Sequence, residues 1–483
     1  MRVGRWLPWS AGLVALVGAL IVTAPRGPAE SPDGMSYLAA AQSLISQGTL
    51  REPFADWNAP DSTSLLADYP AGFSLILAAP LALGVPPVPA ARWVEAAGIG
   101  GAVGVIVALL EAVAGVEAAL AGFALLFLMP ALTDLSLWIL SEPLFLFVVA
   151  ATLAEMIRHP ERPGRAGVLA AAANLVRYAG VFLVAGAGLW AAAQPGGRRV
   201  RVLRGLRAVL PGALLHLYWA VVGIVPGGGI VASPFGGVGA ALREGWETGL
   251  GWLFPGVTGS VERVAGAVLL VALGWAAWRA VKARAELRPM LVVTGGLSVL
   301  YAGTVGFARV FVIPDVPFDT RILAPLFFIL TVPAAAGAGI VWKSRRALRP
   351  AVVATGLVWC ALAARRDIGT VGQAWAGGLS YEGDDWQRSP VADWLRQAGR
   401  GRALYTTDPA GVWYLTGRAS RLLPATLAPD SVALFRARFA SSPSALVALD
   451  ANFAGLASGD SLAAALGLVP AARFDHGTVW VTP

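Results

Sequence analysis

The stretch ILAPLFFILTVPAAAGAGIVW, residues 322–342, carries no ionisable side chain. Arg321 closes it on one side; Lys343, Arg345, Arg346 and Arg349 close it on the other. A helix needs ~20 apolar residues to cross a bilayer, and this run meets that length between charged ends. Working outward, similar uncharged runs recur at 6–25, 69–91, 178–197, 208–242 and 289–308. The 483-residue chain is 57% hydrophobic and 14% charged, against about 25% charged in an ordinary soluble domain. The runs are continuous rather than alternating, which predicts spanning helices and not a barrel. The reading is an all-α polytopic membrane protein of about 11–13 spans.

The net charge of +8 is not a nucleic-acid signal, because the arginines fall mostly in short loops between apolar runs. Basic loops at Arg158–Arg165, Arg198–Arg207, Arg279–Arg288 and Lys343–Arg349 are placed inside by the positive-inside rule. Arg2 and Arg5 put the N-terminus on the same, cytoplasmic side. The loop 26–68 holds Arg26 and Arg51 against Glu30, Asp33, Glu52, Asp56, Asp61 and Asp68, two positive charges against six negative, and is placed outside. Residues 6–25 are read as a retained first span rather than a cleaved signal. Residues 166–195 lie between two basic loops and predict two short helices with an outer turn near Arg177–Tyr178. The segments 69–87, 93–114 and 118–133 are harder to place. If all three cross, Glu142 ends on the wrong side, and the prolines of 69–87 leave a re-entrant path open for that segment.

Residues 365–483 differ in character. Charge returns, with 11 Arg and 10 Asp or Glu. Runs at Ala403–Thr407, Ala445–Leu449 and Thr478–Thr482 predict strands, and 389–398 and 461–466 predict helices. Residues 1–364 are therefore taken as a membrane domain and 365–483 as a small α/β domain outside the membrane. Cys360 is the sole cysteine, and His159, His216 and His476 are far apart, so a histidine-rich metal site is not expected. Carboxylate ligation of a divalent cation stays open.

Candidate chemistry lies at the ends of the apolar runs. In Ser31-Pro32-Asp33-Gly34-Met35-Ser36-Tyr37, Asp33 begins a predicted amphipathic helix with Tyr37, Leu38, Ala41, Leu44 and Ile45 on one face. It reads either as a helix cap or as a catalytic carboxylate. Asp68-Tyr69-Pro70 opens the next apolar segment. Glu142 stands between the uncharged runs 135–141 and 143–154, where a carboxylate is costly unless paired or wet; Asp134 competes with it. Arg177, with Tyr178, interrupts another uncharged stretch, and its guanidinium suits a phosphate or a carboxylate. Asp319 and Arg321 pair an acid and a base before the run at 322. The predicted topology brings Asp33, Asp68, Glu142, Arg177 and Arg321 to the outer surface. A carboxylate there can accept a hydroxyl proton, and arginines can balance a departing phosphate. No Walker A or Rossmann glycine pattern occurs, which favours a lipid-linked donor over a nucleotide sugar.

These motifs carry a resemblance. Asp33-Gly34-x-x-Tyr37, Tyr69-Pro70-x-x-Phe73, Ala91-Arg92, Ser141-Glu142-Pro143-Leu144-Phe145, Arg177-Tyr178-x-Gly180 and Asp319-x-Arg321-x-Leu323-x-Pro325, in this order, resemble bacterial glycosyltransferases of the GT-C superfamily. The likeness is to the group that includes protein O-mannosyltransferases and the lipid A aminoarabinose transferase. In the tail, Tyr381, Trp386, Ser389, Ala403–Thr407 and Trp413–Arg418 resemble the periplasmic extension of uncharacterised members. The resemblance implies a polyprenyl-phosphate sugar donor, a lipid, glycan or protein acceptor and a bacterial inner-membrane location. It implies Asp33 as catalytic base; from the residues, Glu142 is the second catalytic candidate and Arg177 and Arg321 are the candidates for the donor phosphate. Tyr37, Asp68, Tyr69, Asp134, Tyr178 and Asp319 would contact substrate. The chain has one acid at the loop start where several relatives have two. The alternative from the residues alone is a transporter or flippase-like protein with Glu142 and Arg177 along its path.

Overall fold

The computed structural model describes residues 6–222, 238–257, 264, 268, 284–312, 316–344, 346–449, 456–475 and 477–483. The expected span at 261–278 and Asp315 lie outside the described residues, apart from positions 264 and 268.

Helix α1 (Leu7–Val22) is followed by α2 (Pro32–Gln47), a hairpin of β1 (Arg51–Glu52) and β3 (Ser64–Leu65), and the intervening β2 (Phe54–Ala55). Then come α3 (Gly72–Ala82), α4 (Pro87–Ala114), α5 (Val116–Phe127), α6 (Pro130–Ser136) and α7 (Glu142–Arg158). Next are α8 (Pro163–Val176), a turn of 3-10 helix at Tyr178–Gly180, α9 (Val181–Ala193), α10 (Arg198–Val222) and α11 (Val238–Leu253). The last long helices are α12 (Arg288–Phe311), α13 (Thr320–Ser344) and α14 (Arg349–Gly377).

Named contacts sort the helix termini into two ends. At one end Lys343, near the end of α13, lies 2.9 Å from Glu117 at the start of α5. Arg349 donates to the Trp342 carbonyl, and Arg165 of α8 meets Glu155 of α7 at 3.5 Å. At the opposite end Arg92 of α4 donates to Thr23 beyond α1 at 2.9 Å. There too Trp375 of α14 reaches the Val22 carbonyl at 2.9 Å, and Arg366 meets Asp134 at 2.7 Å. Consecutive helices thus run up and down between a basic end and an end rich in paired acids.

The difficult segment 69–133 resolves in these terms. Its first part forms only α3, whose 11 residues extend about 16 Å, half of the ~30 Å hydrocarbon core. Pro70 precedes this helix, Pro80 lies inside it and Pro86–Pro87 start the next one. Residues 118–133 become the bent pair α5–α6, with 49° between its halves. With α3 not crossing, Glu142 falls at the same end as Asp33. The break at Arg177–Tyr178 lies where the charges flanking 166–195 place it.

One expectation needs correction. The basic stretch Arg198–Arg207 is not a loop; it forms the first turns of α10, since arginine stems can lie along a helix while their heads reach water. Among the described residues five helices are long and apolar enough to span, or six with the bent pair, with shorter apolar helices at Leu7–Val22, Gly72–Ala82 and Tyr178–Ala193. Helices α8, of 14 residues, and α9, of 13, are shorter than a full span.

Helix α14 runs unbroken through residue 364 to Gly377. Beyond it lie the helices α15 (Pro390–Arg396), α16 (Pro409–Thr416), α17 (Pro429–Ala440) and α18 (Gly459–Leu466). The strands are β4 (Ala403–Thr406), β5 (Ser420–Leu422), β6 (Ser444–Leu449), β7 (Val469–Phe474) and β8 (Gly477–Val481). The sheet order is β2-β5-β4-β6-β8-β7. Its β2, β5, β4 and β6 pair in parallel, and β8 and β7 antiparallel. One strand of the tail's sheet therefore comes from the first loop.

Helix α2 differs from a simple interfacial helix. Gly34 to Ala41 are all buried, although Ile45 is exposed. Met35, Tyr37 and Leu38 join an apolar cluster with Phe73, Leu77, Ala91, Ile139 and, from α16, Ala410 and Trp413. The tail thus contributes to the cluster that buries α2.

Candidate functional site

Asp33 sits in the first turn of α2. Ser31 is the helix cap, accepting the Gly34 N–H at 2.9 Å and donating to the Ile139 carbonyl at 2.6 Å. The capping role open to Asp33 is therefore filled by Ser31, and the Asp33 carboxylate is spent elsewhere. Gly34 is required here, since a Cβ would run into the Ile139 carbonyl. That close approach sets α2 against the chain leading into α7.

One Asp33 oxygen accepts the Tyr69 hydroxyl at 3.0 Å, and the other pairs with Arg321. Arg321 also pairs with Glu142 through its Nε. The second Glu142 oxygen lies 2.8 Å from Arg177 Nη1, and that same nitrogen donates to Ser141 Oγ at 3.0 Å. Ser141 in turn reaches the Tyr37 hydroxyl at 3.4 Å. Carboxylates and guanidiniums thus alternate along one chain: Asp33, Arg321, Glu142, Arg177. Glu142 is buried, and its partners keep limited access, 30% of the side chain for Arg321 and 18% for Arg177. Tyr37 packs on Tyr69 and Phe73, with ring centroids 5.4 and 5.2 Å apart. Burial alone raises the Asp33 pKa, but the Arg321 and Arg177 charges and the Tyr69 hydroxyl outweigh it and hold it below the usual carboxylate range.

The remaining candidates surround this chain at different distances. Tyr178 donates to the Ala67 carbonyl at 3.0 Å and stacks edge-on against Trp219. Asp68 is exposed at the rim. Asp319 caps α13 by accepting the Ile322 N–H at 2.9 Å, so it orients Arg321 rather than pairing with it. Asp134 does not join the group; it is held by Arg366, with Asp367 and Thr133 beside it. Arg92, part of the family pattern, serves the end of α1 through Thr23 and the Leu20 carbonyl.

Two buried acids stand near the site that sequence spacing did not single out. Glu52 on β1 is 2% exposed; burial and then Asp68 push its carboxyl up to about 7. Glu30, before α2, accepts from Ser380 of the tail at 3.0 Å. Burial and then Asp408 push it up to about 7 as well. Both lie among the loop's other acids with no periodic signal to mark them.

Among the described residues no three His, Cys, Asp or Glu side chains gather as a metal site. The space between Asp33 and Glu142 is bridged by a guanidinium that contacts both. This donor set does not fit a divalent cation.

The architecture, a helical membrane domain with its charged chain at one end joined to a sheet-containing tail, is shared with several solved structures. The chain is similar over 98% of its length to ArnT from Cupriavidus metallidurans bound to undecaprenyl phosphate, with a TM-score of 0.61, 15% identity and 97% of that chain covered. The apo oligosaccharyltransferase of Archaeoglobus fulgidus gives a TM-score of 0.55 at 12% identity, over 93% of this chain and 70% of that one. The arabinofuranosyltransferase AftD from Mycobacteria gives 0.52 at 17% identity, over 100% of this chain and 41% of that one. At these identities the likeness establishes the fold. No family model and no curated protein matches the chain.

Proposed function

We propose that the chain is an integral-membrane glycosyltransferase that moves a sugar from a polyprenyl-phosphate donor to an acceptor hydroxyl on the outer face of the cytoplasmic membrane. Residues 1–364 would form the transferase domain and 365–483 an extracytoplasmic α/β domain. The observation that carries this reading is the Asp33–Arg321–Glu142–Arg177 chain at one end of a GT-C fold. The undecaprenyl phosphate bound by the similarly folded ArnT supports the donor class.

In this reading Arg321 and Arg177 bind the donor phosphate, which competes with the carboxylates for them. When Arg321 turns to the phosphate, Asp33 keeps Tyr69 but loses its strongest cation and becomes more basic. It then takes the proton of the acceptor hydroxyl as that oxygen attacks the anomeric carbon. The bond from that carbon to the phosphate oxygen breaks, and the lipid phosphate leaves against the two guanidiniums. Glu142, paired with both, holds the two arginines at the site between turnovers.

Incubating the purified protein with a panel of polyprenyl-phosphate sugars and candidate acceptors tests this. Release of free lipid phosphate with at least one sugar is the expected result. A panel that stays intact with every acceptor contradicts the reading.

A further inference from the structure

Glu52 is buried, and it belongs to none of the ion pairs above. It stands on β1 opposite Ser64. One carboxylate oxygen accepts the Ala67 N–H at 3.4 Å, and the Ser36 side chain is a hydrogen-bonding neighbour of the group. A buried acid with a second acid nearby is a costly way to tie down a loop's backbone N–H. What it ties down explains the cost. The turn Ala67–Tyr69 offers the Ala67 carbonyl to the Tyr178 hydroxyl at 3.0 Å and carries the Tyr69 hydroxyl to Asp33 at 3.0 Å. On its other side Glu52 adjoins Pro53, whose carbonyl accepts the Ser420 N–H at 3.0 Å as β2 enters the tail's sheet. Glu52 therefore stands where the first loop passes from the tail to the Asp33 site.

We propose that Glu52 is a positioning residue for Asp33: it fixes the Ala67–Tyr69 turn, and through Tyr69 it sets the place and basicity of the carboxylate. The inference rests on the reading of Asp33 as the base. A group that merely braces the hairpin changes stability alone. A group acting through Tyr69 changes turnover and its pH dependence.

The test compares Glu52→Ala, Glu52→Gln, Tyr69→Phe and the double variant Glu52→Ala/Tyr69→Phe in steady-state transfer from a polyprenyl-phosphate sugar across pH. Glu52→Ala should lower kcat about tenfold, the scale of one lost hydrogen bond, with KM little changed. Its acidic limb should move to higher pH, as in Tyr69→Phe, because the bond that favours ionised Asp33 is lost. The double variant should be no worse than about twofold below Tyr69→Phe, since both changes remove one interaction. Glu52→Gln keeps an acceptor for the Ala67 N–H and should stay within about twofold of wild type. Effects that multiply, or an unmoved acidic limb with only a lowered Tm, overturn the inference and leave Asp33 as base. A wild type that transfers nothing, or an Asp33→Asn variant with full activity, overturns the underlying reading and this inference with it.

Discussion

At the scale of single residues, Glu142 shows why the charged chain is held together. It is buried, and two arginines converge on it. Removing it leaves Arg177 without a carboxylate partner and Arg321 with Asp33 alone, and breaking a buried pair by removing one partner costs about 3–5 kcal/mol in general. Glu142→Ala should therefore lower stability by about 3 kcal/mol and Glu142→Gln by clearly less, read as Tm in detergent. Equal Tm values for wild type and Glu142→Ala would mean that the pair is solvated and structurally idle. Each charged residue was visible in the sequence as an interruption of an apolar run. Their pairing was not. Asp33 and Arg321 are 288 residues apart, and no period or local motif links them; only the up-and-down helix order brings them to one end. Glu52 was less visible still, one acid among six in a polar loop.

At the scale of elements, the junction between α1 and the tail has a pH dependence that follows from Glu30. Its folded pKa, about 7, is raised above the ordinary value of about 4.3. Between those values the folded chain holds a proton that the unfolded chain has released. Stability is therefore fully present below about pH 4.3 and lost as pH rises to 7. Asp408, raised by burial, acts in the same direction. Thermal unfolding at pH 5 and pH 8 should show a higher Tm at pH 5, and Glu30→Gln should narrow the gap. A gap untouched by Glu30→Gln would assign it to other groups. The helices α7, α12 and α13 were legible because charges bound their apolar runs. The shortness of α3 was not, because the run 69–91 is as long as a span and only its prolines hint at the interruptions. The two-residue strand Phe54–Ala55 carries too little pattern to be read as part of a sheet that otherwise lies some 350 residues later.

At the scale of the whole molecule, the helix order makes a topological claim. If α3 does not cross, reporters placed after residues 57, 85 and 420 share one side, and reporters after 160 and 196 share the other. Paired periplasmic and cytoplasmic reporter fusions at these five positions check it. A reporter at 85 on the side of 160 would mean that α3 crosses and that Glu142 reaches Asp33 by some other path. The tail is not an independent appendage in this architecture. It takes a strand from the first loop, packs Trp413 against the cluster around Tyr37 and ties Asp384 to Arg26 at 2.7 Å. Its sheet and the Asp33 helix are thereby held as neighbours.

The central claim is that Asp33 takes the acceptor's proton while the arginines hold the phosphate. Transfer from a polyprenyl-phosphate sugar by purified Asp33→Asn protein, with undecaprenyl phosphate binding measured on the same sample, tests it most directly. The account predicts lipid-phosphate binding retained and transfer reduced by at least about a hundredfold, the usual weight of a general base. Retained binding with undiminished transfer would contradict it.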